Sequence, residues 1–114
     1  MIKKFFFNFI NSINGIKIAF NEHSFIAEIL GGIILIPYVL FADINILYKL
    51  IILIFYFLLL AFEILNTSIE KLSDKISKEI DSDIRKIKDL SSASVFIILI
   101  LLIILLISTI FISR

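Results

Sequence analysis

Residues 90–113 run for 24 positions without a charged side chain, and no other feature constrains the fold as tightly. As a helix the run is about 36 Å long at ~1.5 Å per residue, enough to cross the ~30 Å hydrocarbon slab of a bilayer. Composition agrees. The chain is 61 % hydrophobic and 18 % charged, with a mean hydropathy of +1.12, where soluble domains carry ~25 % charged residues. Three glycines and one proline leave little material for turns. A single all-α integral-membrane domain is therefore expected, built of long helices.

Two more spans emerge upstream. Residues 25–42 form the first, uncharged only over the 14 positions 29–42. That is short for the slab, so Glu28 is expected near the inner boundary, and Pro37 is expected to bend the helix. Asp43-Ile44-Asn45 reads as a tight outer turn in which Asp43 or Asn45 can cap the next helix. Residues 46–70 form the second span. Its charge-free stretch covers only 50–62, so Glu63 must lie inside the slab or at its edge, with Asn66 close by. Residues 90–113 are the third.

The flanking segments are amphipathic. In residues 1–21, Ile2, Phe6, Phe9, Ile13, Ile16 and Phe20 recur at spacings of 4, 3, 4, 3 and 4. This predicts a helix lying in the membrane interface. Asn8, Asn11 and Asn14 interrupt its apolar run, which argues against a cleavable signal peptide. In residues 71–89, an apolar stripe of Leu72, Ile76, Ile80, Ile84 and Ile87 runs among charged and small polar residues. It predicts a helix leaving the membrane, a break near 77–82, and a second helix along the surface. Nine of the 11 basic residues fall on the side of these two segments; only Lys49 and Arg114 do not. By the positive-inside rule that side, with the N-terminus, faces the cytoplasm.

Several functions are argued against at once. The net charge of +1 speaks against a nucleic-acid partner. The absence of cysteine removes disulfides and thiolate metal sites, and a lone histidine, His23, speaks against zinc.

Carboxylates carry the chemistry. Glu63, Glu70 and Asp74 are offset by 7 and 11 residues, so they line one helix edge, with Asn66 about 60° to the side. Ionisable groups at membrane depth are costly and default to a functional reading. Glu22, Glu28 and Asp89 join them at the same boundary, beside Lys17, Lys86 and Lys88. Carboxylates with lysines suit a divalent ion shared with a polyphosphate, and a partly desolvated glutamate can accept a hydroxyl proton. There is no Walker loop and no protein-kinase motif. The same residues would equally serve as an intramembrane salt-bridge set with Lys71 or Lys75, or as a hydrogen-bond clamp between helices through Asn66. The charges of 71–89 fit an ordinary solvated face, and Gly31-Gly32 fits a helix-packing notch.

The stretch Glu63-Ile64-Leu65-Asn66-Thr67-Ser68-Ile69-Glu70, followed by Asp74, resembles the defining motif of the prokaryotic diacylglycerol kinase family. So do the Asn21-Glu22 pair before the first span and Lys88-Asp89-Leu90-Ser91-Ser92-Ala93 entering the third. The resemblance covers nearly the whole chain and implies a homotrimeric inner-membrane enzyme. Such an enzyme moves the γ-phosphoryl group of Mg·ATP to the primary hydroxyl of a membrane lipid alcohol. It implies Glu63 as general base, Glu22 and Glu70 as Mg²⁺ ligands, and Asn66 and Asp74 as organisers of the site. Nucleotide contacts are implied for Lys3, Lys17, Glu22, Glu70, Glu79, Ile80, Asp81, Lys88 and Asp89, with Lys3 and Lys17 roughly where relatives can have arginine. Lipid contacts are implied for Ser24, Phe25, Glu28, Glu63 and Ser92. Diacylglycerol is the expected substrate. Undecaprenol is the alternative within the same fold, and a small non-enzymatic transporter or assembly protein the alternative outside it.

Overall fold

A computed structural model describes residues 1–76 and 81–112, and all four of its elements are helices: α1 (Ile2–Ala19), α2 (His23–Phe41), α3 (Ile46–Ile76) and α4 (Ser82–Phe111). Three of them, α2, α3 and α4, are long and apolar enough to cross a membrane.

α1 buries only Ala19 and touches α3 lightly. It closes in a tight turn, Asn21 N–H donating to Ile18 O at 3.0 Å and Glu22 N–H to Ala19 O at 2.9 Å. Phe20 then packs edge-on against Phe25, with ring centroids 5.1 Å apart. Glu22 is extended (φ −100°, ψ 131°) and opens α2 as its N-cap residue.

α2 buries Phe25, Gly32 and Val39. Seven-residue steps are close to two turns, so these three form one seam. It faces α3, where Ile52, Tyr56, Leu59 and Leu60 are buried. Gly32 is a packing notch. A Cβ added there would overlap the Tyr56 hydroxyl and ring, whereas one at Gly31 would meet open space.

α3 starts where the sequence offered a cap, with Asn45 Oδ1 accepting from Leu47 N–H at 2.8 Å. Its 31 residues make a rod of about 46 Å, longer than the hydrocarbon slab. The most extensive helix contact is α3 with α4. Buried Ser73 on α3 and Ser91 on α4 let the backbones approach where larger side chains would hold them apart.

The structure differs from the sequence reading in one element. Among the described residues of 71–89 no separate surface helix forms: residues 82–89 are the first two turns of α4, continuous with the third span. Asp81 caps that helix, accepting from Asp83 N–H at 2.8 Å and Ile84 N–H at 3.1 Å. No glycine or proline follows before residue 90, so nothing interrupts the hydrogen-bond ladder once it has started. Asp81 is extended (φ −112°, ψ 129°), within the stretch 77–82 where a break is expected; residues 77–80, Glu79 and Ile80 among them, lie outside the described residues.

α2, α3 and α4 leave a groove of about 790 Å³ between them, open along one side. Glu28 stands at one end; Gly31, Leu35, Leu102 and Leu106 line its length and Tyr38 lies towards the other end.

Candidate functional site

The buried seam of α3 does not end with its apolar residues. Three residues past Leu60 comes Glu63, only 5 % exposed, and three further Asn66, 7 % exposed. A carboxyl and a carboxamide thus occupy positions where a core would carry leucine. Burying such groups is expensive unless they are paired.

The surroundings only partly pair them. The Glu63 carboxyl faces the Glu28 carboxyl and the Ser24 hydroxyl from α2, and the charges of Glu70 and Glu22 lie near it. Glu28 Oε1 is buried with no hydrogen-bond partner among the described residues, and so is Asn66 Oδ1. Asn66 Nδ2 donates to Glu70 Oε1 at 2.9 Å. The backbone around Glu28 is also tied down, since the Tyr56 hydroxyl donates to Glu28 O at 2.9 Å. Beyond this buried layer come two ion pairs. Lys71 Nζ meets Glu22 Oε1 at 2.9 Å, and Lys88 Nζ meets Asp74 Oδ1 at 2.5 Å. The second ties the end of α3 to the start of α4.

The structure therefore gathers Glu22, Ser24, Glu28, Glu63, Asn66 and Glu70 around one point, with Asp74 and Lys88 joined further along. Phe25 is a buried core residue against Phe20. Ser92 is exposed, and its neighbour Ser91 is the one buried. Lys3 and Lys17 are exposed on α1, with Lys3 beside Ile2, Phe6 and Phe7 in a shallow hollow. Asp81 is the α4 cap, and Asp89 lines a surface hollow with Lys86, Leu90 and Ala93.

Of the alternatives open in the sequence, the salt-bridge set takes another form. Lys71 pairs with Glu22 of α2, not with Glu63 or Glu70 of its own helix. Asn66 bonds within its own helix. The Lys71–Glu22 pair and the Tyr56 reach to Glu28 are the features that local spacing could not supply.

The family model of the prokaryotic diacylglycerol kinases matches residues 10–111 of the 114. The chain belongs to that family. No curated protein matches it. The family is one of lipid kinases, and with three apolar helices this member is a multi-pass membrane protein.

A lipid kinase of this family implies Mg²⁺. The donor chemistry fits: Mg²⁺ takes oxygen ligands, commonly one or two carboxylates plus substrate phosphates. Glu22 and Glu70 supply carboxylates, and the buried Asn66 Oδ1 is an oxygen acceptor left without a partner. Among the described residues no set of three or more His, Cys, Asp or Glu side chains is grouped as a metal site.

Proposed function

We propose that the protein transfers the γ-phosphoryl group of ATP to the primary hydroxyl of diacylglycerol, giving phosphatidic acid. The observation that carries this reading is Glu63: a carboxyl buried in the helix seam, at the groove end marked by Glu28, with the exposed Glu70 and Lys71 a few residues further along α3. A lipid hydroxyl arriving along the apolar groove would reach Glu28, whose carboxyl faces that of Glu63.

In this reading Glu63 takes the proton of the attacking hydroxyl. The hydroxyl oxygen forms its bond to the γ-phosphorus while the bond from that phosphorus to the β–γ bridging oxygen breaks. ADP leaves with the electron pair. Glu22 and Glu70 would hold Mg²⁺, which when bound neutralises charge on the phosphates. Asn66 holds Glu70 in place, Ser24 and Glu28 flank the hydroxyl, and Lys88, steadied by Asp74, offers a cation to the nucleotide. Such catalysis is mainly positioning and charge neutralisation. The groove is open along one side, and a homotrimer would let a neighbouring subunit close it. The carboxylate end faces the cytoplasm of a bacterial inner membrane, where ATP is found.

The test is transfer of labelled γ-phosphate from Mg·ATP in mixed micelles, with diacylglycerol and undecaprenol offered separately and Glu63→Gln as control. Phosphatidic acid that disappears in the variant is the expected result. Product from undecaprenol alone would replace the substrate. No transfer to either, from folded protein, would overturn the reading.

A further inference from the structure

Glu22 stands where α1 hands over to α2. The short side chains preferred at N-caps spend their oxygen on the first backbone N–H groups of the helix, and the longer glutamate is free to reach elsewhere. Glu22 makes no such capping bond. Its carboxylate reaches across to α3 and takes the Lys71 ammonium at 2.9 Å. Lys71 directly follows Glu70, whose own carboxylate is held by Asn66. A positive charge therefore sits on one of the two carboxylates assigned to the metal, on an oxygen that a divalent ion would need.

We propose that Lys71 is a built-in counter-cation of the metal site. It neutralises Glu22 while no divalent ion is bound, ties the start of α2 to α3, and gives way when the ion arrives. The Lys71 side chain is 58 % exposed and that of Glu22 33 %, so the ammonium can swing into water at small cost. This inference rests on the reading of Glu22 as a ligand.

The probe is Mn²⁺, titrated into the nucleotide-free full-length protein in detergent micelles and followed by the electron paramagnetic resonance signal of the free ion. Exposed ion pairs are weak, so Lys71→Met should tighten Mn²⁺ binding about two- to fivefold. Lys71→Arg, which keeps the charge, should bind no tighter than wild type. Without metal, Lys71→Met should melt at a lower temperature than wild type, and saturating Mn²⁺ should close that gap. Size-exclusion behaviour checks that each variant is assembled. If Lys71→Met binds Mn²⁺ no better than wild type while Glu22→Gln binds it worse, the counter-cation role fails and the ligand assignment stands. If Glu22→Gln binds Mn²⁺ as wild type does, or no variant binds it saturably, both fail.

Discussion

The two ends of the helix bundle carry polar groups in opposite ways. At the end near the 42–45 turn, the Tyr38 hydroxyl pairs with Thr109 Oγ1 at 2.7 Å, the Tyr48 hydroxyl pairs with Ser108 and reaches Leu105 O, and Lys49 Nζ donates to Leu40 O at 2.8 Å. These hydroxyls are neutral and satisfied, and they lace α2 and α3 to α4. At the other end Glu22, Glu28, Glu63 and Glu70 crowd together, and two buried oxygens are left without partners among the described residues. A bundle that needed only polar fasteners would use the first arrangement twice. Crowded like charges and unmet acceptors cost stability, and proteins keep such costs where a ligand or a reaction recovers them.

Substitutions should separate the two ends. Glu63→Gln should have the largest effect, lowering phosphoryl transfer by about 10²- to 10⁴-fold while leaving the melting temperature unchanged or higher. A variant that kept transfer activity and melted lower instead would make Glu63 a fastener like Tyr48. Asn66→Ala should follow, with activity down about 10- to 100-fold as Glu70 loses its holder; isothermal titration with Mn²⁺ should show the metal affinity falling with it. Gly32→Val should act on stability, costing about 1–3 kcal/mol from overlap with Tyr56, visible as a lowered thermal midpoint in detergent. Tyr48→Phe should be smallest, near 0.6 kcal/mol as measured for hydrogen bonds between membrane helices, with transfer activity kept. If Tyr48→Phe cost activity without stability, the contrast between the ends would collapse.

Much of the architecture was legible because membrane spans are written in long uncharged runs, as 90–113 shows. The Asn45 cap was legible as well, since capping is a local matter of two or three residues. The continuity of 82–89 with α4 was not. A periodic apolar stripe says which face is buried, not whether the axis turns at its end. Glu63, Asn66 and Glu70 share one helix, so their juxtaposition follows from pitch. Glu22 and Lys71 are brought together only by the packing of α2 on α3, and no spacing encodes that. The exposed position of Ser92 beside buried Ser91 depends on the rotation of α4 against α3, which two adjacent serines leave undetermined.

α3 is one uninterrupted helix from the turn at Asn45 to Ile76. Glu63 and Glu70 are thus fixed about 10.5 Å apart along a single stiff axis. Tilting a rod moves everything mounted on it together. In a thinner bilayer α3 must lean further to keep its apolar stretch covered, and Glu63 and Glu70 then shift as a unit against the plane of lipid headgroups. Membrane thickness becomes a mechanical input to the chemistry, with the helix as the lever.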